Sequence, residues 1–282
     1  MRKIAFFIVF TIIIGAISFS STGCTEKKTS ANDSDSVSIV KPAATTDTID
    51  QIIAETPVPK AADELFDDFI FNFAANRKLQ MKRITFPLPV TTRGNTSYIT
   101  AKRWKMEHFF MHQEFYTLIF DNMKQMNVVK DTTIDNAIVE KINLQRNSIK
   151  QYIFKRIDGQ WMMTGIVNGG ISKSKNASFL RFYHHFANDS IFQVNSINDP
   201  LDFTGPSPDD DFSDMTGILS PEQWPSFAPE LPKDMIYNII YGNSYTESSK
   251  KIFVIRGIAN GLETELTFQK KSGKWKLTKI IM

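Results

Sequence analysis

The chain has 282 residues, 33 Lys+Arg against 30 Asp+Glu, a net charge of +3 and one cysteine. So even a charge balance, with no Lys/Arg cluster among aromatics, excludes the phosphate neutralisation that nucleic-acid binding requires. A single cysteine excludes any internal disulfide, so an oxidising compartment would add nothing to stability.

Met1-Arg2-Lys3 is a short basic start, and Ile4 to Phe19 carries no charge. A membrane span needs about 20 apolar residues. This run is shorter and begins at once, so residues 1–23 read as a secretory signal peptide. Gly23 precedes Cys24, the only cysteine, and a small residue before a cysteine resembles the lipobox of bacterial lipoproteins. Ser21 stands where that motif usually has leucine. The resemblance implies cleavage before Cys24, a diacylglyceryl group on its sulfur and an acylated amine. The expected partner is therefore a membrane, reached through the lipid anchor. The expected place is the outer membrane, facing the periplasm or the cell surface. Each buried CH₂ contributes about 0.8 kcal/mol, so two or three acyl chains hold firmly where one is marginal.

Thr25 to Ala62 is rich in Thr, Ser, Asp, Lys, Ala and Pro and has no aromatic residue. Such a segment cannot bury enough apolar surface to offset its ordering entropy. Residues 24–62 are read as the lipidated cysteine and a flexible tether, with a coil reach of roughly 35 Å.

An internal repeat organises the rest. Phe66, Phe69, Phe73, Asn76, Leu79, Gln80, Ile84, Pro87 and Leu88 reappear as Phe179, Phe182, Phe186, Asp189, Phe192, Gln193, Ile197, Pro200 and Leu201, at one constant offset (66 to 179, 88 to 201). Further on, Trp104 matches Trp224, and Tyr116, Phe120 and Asn122 match Tyr237, Tyr241 and Asn243. Phe154, Gly159 and Trp161 match Phe268, Gly273 and Trp275. The extra residues of the second copy fall in Thr204 to Ser220. The reading is a first module over 63–167, a polar Gly-bearing linker over 168–177 and a second module over 178–282.

Each copy opens with apolar residues at i, i+3 and i+7, one face of a helix. Asp63, and Asn176 or Ser178, are candidate caps. Pro87 and Pro200 then exclude continued helix. A second helix is expected over about His108 to Lys124, with Phe115, Leu118, Ile119 and Met123 on one side, and a shorter one over Lys233 to Tyr241. Strands follow: Ile138–Leu144, Gln151–Ile157 and Gln160–Val167, then Lys250–Ala259, Leu262–Lys271 and Lys274–Ile281. Asp158-Gly159, Asn260-Gly261 and Ser272-Gly273 are their turns. The fold class is α+β: two tandem cone-like modules, each with helices packed on a curved antiparallel sheet.

This order resembles the nuclear-transport-factor-2-like fold, a helix-lined cone on a curved sheet. The endings Phe154-Lys-Arg-Ile-Asp-Gly-Gln-Trp161 and Phe268-Gln-Lys-Lys-Ser-Gly-Lys-Trp275 resemble that superfamily's last hairpin. The chain over 63–282 also resembles uncharacterised Bacteroides lipoproteins that carry only a domain-of-unknown-function label. A cystatin-like sheet wrapping one helix is the alternative fold. The resemblance implies cones that serve as enzymes in some relatives and as binding modules in others, so fold leaves function open.

No residue pattern demands catalysis. His108 and His112 are spaced i, i+4, but Phe109-Phe110-Met111 lies between them without the glutamate of a zinc-protease motif. His184-His185 flank the aromatic face. Asp209-Asp210-Asp211 with Asp214 lacks the glycine of an EF-hand loop. Ser220 is not in a nucleophile elbow, and no Gly-rich phosphate loop occurs. Neither metal nor cofactor is expected. Gln80, Tyr116 and Trp161, with Gln193, Tyr237 and Trp275, are the candidate pocket-lining residues, set against a purely structural role for residues that both copies share. The leading expectation is a non-catalytic module pair binding a small ligand or an envelope protein. The alternative is a small-molecule enzyme of isomerase, dehydratase or hydrolase type. It requires a buried, desolvated carboxylate facing Tyr116 or Tyr237. A third reading is a scaffold with filled cores.

Overall fold

Phe66, Phe69, Ile70 and Phe73 form one buried stripe on the first helix, α1 (Phe66–Ala75). The computed structural model describes residues 65–282 except 208, 211, 212, 243–247 and 259, all within the unit Thr46–Met282. The leader, Cys24, the tether and the candidate cap Asp63 lie outside the described residues, as does Asp211. Asn76 stops α1 and caps α2 (Arg77–Arg83), its side chain accepting from the Leu79 amide at 3.0 Å.

The second copy repeats this start. Leu180, Phe179, Tyr183 and Phe186 are the buried stripe of α4 (Ala177–Asn188), and Asp189 caps α5 (Ser190–Asn195). Between them in the chain lies α3 (Met123–Met126), and after them α6 (Trp224–Phe227). Neither candidate cap serves α4 as expected. Ser178 lies inside the helix, and Asn176, at the N-cap position, makes no side-chain cap bond. Its Oδ1 accepts from the buried Lys251 ammonium at 2.7 Å instead.

Among the described residues, twelve strands form one sheet. The first copy supplies β1 (Leu88–Thr92), β2 (Asn95–Ile99), β3 (Phe115–Phe120), β4 (Asn136–Asn143), β5 (Ser148–Ile157) and β6 (Gln160–Gly170). The second supplies β7 (Ile197–Pro206), β8 (Asp214–Leu219), β9 (Met235–Tyr241), β10 (Lys250–Gly257), β11 (Glu263–Lys271) and β12 (Lys274–Ile281). The bonds before Pro87 and Pro200, matched positions of the repeat, are both cis.

The expected helices over His108 to Lys124 and Lys233 to Tyr241 are corrected. The first is a short 3-10 turn (Phe109–His112), then strand β3, then α3; the second is strand β9. Phe-Tyr-Thr-Leu-Ile-Phe and Met-Ile-Tyr-Asn-Ile-Ile-Tyr are apolar on both sides because both sides are covered, so the alternation that marks a one-sided strand is missing. On β3, Tyr116, Leu118 and Phe120 enter the core beneath α1, while Ile119 enters the core beneath α4. On β10, Ile252 and Val254 join the first core and Phe253 the second.

The strand order is β2-β1-β6-β5-β4-β9-β3-β10-β11-β12-β7-β8. Exchanging each strand for its repeat partner gives the same order read backwards. The two middle strands are exchanged between copies. β9 pairs antiparallel with β4, from Ala137↔Tyr241 to Asn143↔Met235. β3 pairs antiparallel with β10, from Ile252↔Phe120 to Gly257↔Phe115. Where a separate antiparallel sheet per copy was expected, the strands join in one curved mixed sheet. Its parallel contacts are β1 with β6, β7 with β12, and β3 with β9. The hinge expected from residue 168 onward is also partly strand, since β6 continues through Gly170.

Candidate ligand-binding cleft

The second copy holds an open cleft of about 520 Å³ between α4, the end of α5 and the β11–β12 hairpin. Its elements are locally determined. The Asp189 carboxylate accepts from the amides of Ile191 and Phe192 at 3.0 and 2.9 Å, starting α5 so that Phe192 faces the cleft. Ser272 and Gly273 both take left-handed backbone (φ 48° and 80°), the tight turn that returns Lys274 and Trp275 to the wall.

The wall is mainly apolar, with Phe182, Phe192 and Trp275 as its aromatic surface. The Phe182 ring lies 5.8 Å from Phe192 and 6.3 Å from Trp275. Arg181, Lys270, Lys274 and Lys276 line the same space, with His185, and no acidic residue does. None of the four Arg and Lys side chains is paired with a carboxylate among the described residues. Ser178 Oγ accepts from the Lys270 ammonium at 3.3 Å and the Trp275 indole at 3.4 Å. Lys276 donates to the carbonyls of Asn195 and Ile197 at 2.7 and 3.2 Å. Two of the cations are thus fixed by neutral groups that leave their charge uncompensated.

The corresponding place in the first copy is shut. Trp161, the counterpart of Trp275, is 0% exposed, and Phe69, the counterpart of Phe182, is 2% exposed. Arg83 occupies the position matched by Ser196; its guanidinium lies 6.0 Å from the Phe69 ring centre and donates to the Trp161 carbonyl at 3.3 Å. Asp68, Asn72, Gln160 and Met162 stand where the open copy has Arg181, His185, Lys274 and Lys276.

The candidate pocket residues therefore separate. Trp275 lines the cleft. Gln80 is fully buried and serves the fold: it donates to the carbonyls of Phe73 and Glu107 and accepts from the Trp104 indole and the Glu107 amide. Gln193 repeats the first of these bonds, to Phe186 at 3.0 Å, and borders a smaller cleft beside Glu230 and Lys233. Trp161 is core. Tyr237 lines a separate cleft of about 330 Å³ with Glu107, His108, His112 and Lys141.

Tyr116 stacks on Phe110 at 5.3 Å and accepts from Arg256 at 3.3 Å, and burial pushes its phenol up to about 12. Beside it lies a carboxylate that sequence reading missed. Burial raises the Asp67 carboxyl above its ordinary value, against a hydrogen bond donated by the Tyr241 hydroxyl and the nearby Arg256 guanidinium, 4.0 Å away. Asp67 precedes a second aspartate in the first turn of a helix, a position that reads as dipole compensation. A second missed group, Glu140, is wholly buried among neutral amides, which also raises its carboxyl.

The His108 and His112 rings lie 4.7 Å apart, and the His184 and His185 rings 5.8 Å apart. Asp214 begins the edge strand β8, and Asp210 lies in the loop before it. Among the described residues, no group of three or more His, Cys, Asp or Glu side chains is arranged to hold a metal ion.

A large curved mixed sheet with few helices, carrying a cleft at one helix pair, defines a protein of the nuclear-transport-factor-2-like class. The crystal structure of an NTF2-like protein from Bacteroides fragilis superposes with a TM-score of 0.72 at 42% identity, over 80% of this chain and 98% of that one. Residues 45–282 match the model of the domain of unknown function DUF4348, and the chain belongs to that family. No curated protein matches it.

Proposed function

We propose that the protein is an envelope-anchored, non-catalytic binding protein whose ligand occupies the cleft at Trp275. One observation carries this reading: an open cleft lies beside Trp275 in the second copy, whereas its counterpart Trp161 is 0% exposed, with Arg83 donating to its carbonyl. A pocket of this size and largely apolar lining is the usual form of a small-molecule site. In this reading residues 1–23 are removed, Cys24 is lipidated, and residues 24–62 tether the two interlocked copies to the outer membrane. The test is native mass spectrometry of protein released from its own envelope. Wild type is expected to carry an added small-molecule mass that Ser196→Arg, which supplies the counterpart of Arg83, lacks. The same added mass on both proteins, or none on either, beyond the lipid anchor and the substitution itself, would overturn the reading.

A second reading is favoured by Asp67. It is a half-buried carboxylate with a raised carboxyl beside Tyr116, of the kind a cone enzyme would need as an acid or base. On that reading Asp67→Asn would abolish turnover of a simple carbonyl or ester substrate while leaving the melting temperature unchanged. A loss of folding alone would assign Asp67 to the structure.

A further inference from the structure

We infer that the cleft takes an amphiphilic anion, an acyl or aryl body carrying a carboxylate or phosphate head. The inference rests on the binding reading above and adds the chemistry of the ligand. Four Arg and Lys side chains around one concave space, with no carboxylate among the lining residues, raise the local concentration of anions. Bringing like charges together is unfavourable, and an anionic head among these cations relieves that repulsion through charge-assisted hydrogen bonds. Both ammonium groups are already oriented, Lys270 by Ser178 and Lys276 by two backbone carbonyls. The head would therefore meet donors that need little further ordering.

The rest of the space asks for an apolar body. Phe182, Phe192 and Trp275 line it, and Phe192 is 36% exposed, so a ligand that covers these rings removes apolar surface from water. A bare inorganic anion would leave that surface wet.

The duplicated copy is an internal control. The two copies carry different charge sets: the shut copy has Asp68, Gln160 and Met162 in place of Arg181, Lys274 and Lys276, and Lys82 and Arg83 in place of Asn195 and Ser196. Only Lys270 keeps a cationic counterpart, Arg156, which lies 5.1 Å from the Trp161 ring as Lys270 lies 5.9 Å from Trp275.

Isothermal titration of the full mature chain from residue 24, with Cys24→Ser so that no detergent is present, tests this. The probes are decyl phosphate, decanoate, decanol and inorganic phosphate, with phosphatidylglycerol vesicles as the bilayer source of the same chemistry. An anionic ten-carbon probe is expected to bind saturably, with decanol and inorganic phosphate each roughly tenfold weaker or more. Lys270→Gln with Lys276→Gln should weaken binding by about tenfold at unchanged melting temperature, and Lys276→Arg should restore it. Ser196→Arg should abolish it. Vesicle binding that Ser196→Arg also abolishes would assign a membrane lipid as the source; binding of the free probes alone would assign a soluble anion.

Equal affinity for decanol, unaffected by the charge variants, would overturn the anionic class while leaving the cleft reading intact. No saturable binding of either anionic probe or of vesicles, or vesicle binding indifferent to Ser196→Arg, would overturn the inference. The cleft reading would then be decided separately by the mass of protein from the envelope.

Discussion

Glu140 lies directly opposite Asn238 in the β4–β9 ladder and accepts a hydrogen bond from its amide at 3.0 Å. The other Glu140 oxygen accepts from Gln151 at 2.9 Å. No cation joins them, and Asn238 Oδ1 is left without a partner. Burial raises the Glu140 carboxyl above its ordinary value, against the lowering effect of these two hydrogen bonds. The folded protein thus binds the carboxyl proton more tightly than the unfolded chain. The stability Glu140 contributes is present below the ordinary glutamate value, about 4.3, and is lost as pH rises toward the raised folded value. Glu140→Gln keeps the shape and supplies a permanent donor. Thermal melts should show the variant gaining on wild type from pH 4 to pH 8; parallel profiles would show that Glu140 is ionised in the fold.

The exchange of β3 and β9 makes each copy depend on the other. Without β9, β4 presents a bare inner edge, and β10 does so without β3. Exposed long apolar edges associate and aggregate. Residues 65–170 and 171–282 expressed separately should be insoluble, whereas co-expression should recover a soluble complex. Two soluble, cooperatively melting halves would contradict the exchanged topology.

Gln80 and Gln193 are matched in sequence but not in consequence. Leucine at 80 would strand the Trp104 indole and the Glu107 amide, both of which use Gln80 as acceptor. Each buried group left unpaired costs about 1–3 kcal/mol. Gln80→Leu should therefore lower unfolding free energy by at least about 2–3 kcal/mol, and Gln193→Leu, which loses a single bond at a half-buried site, by about 1 kcal/mol. Denaturant melts of the two variants check the order.

Lys251 and Asp121 form an ion pair with side-chain exposures of 1% and 7%. Asn176 and Ser248 complete its hydrogen bonding. Removing one partner leaves an uncompensated buried charge, at a cost of about 3–5 kcal/mol. Lys251→Met should lose that much in denaturant unfolding, and adding Asp121→Leu should recover a large part of it. No recovery in the double variant would mean that the cluster stabilises chiefly through Asn176.

The legible parts of the sequence were those with local causes. The Phe66/Phe69/Phe73 stripe and its copy gave the helices, and Asp158-Gly159 and Ser272-Gly273 gave the hairpins, because a helix face and a turn are written within a few residues. The middle strands were misread because a strand covered on both faces has no alternation, and its covering comes from the other copy. The cleft was only half legible. Trp275 stood out as an aromatic of the repeat, but Lys274 and Lys276 alternate along β12 as any solvated face does, and Lys270 meets Trp275 only through the strand pairing. The contrast between Ser196 and Arg83 was present in the aligned copies, yet its meaning required knowing that both positions abut the tryptophan. Asp67 and Glu140 gave no local signal, since burial is set by elements distant in the chain.

The most direct test of the account is a crystal structure of the protein purified from its own envelope, read at Trp275. Density for a bound small molecule is expected against Phe182, Phe192 and Trp275, with its polar end among the cations of the cleft. A cleft beside Trp275 that holds no such density would contradict it.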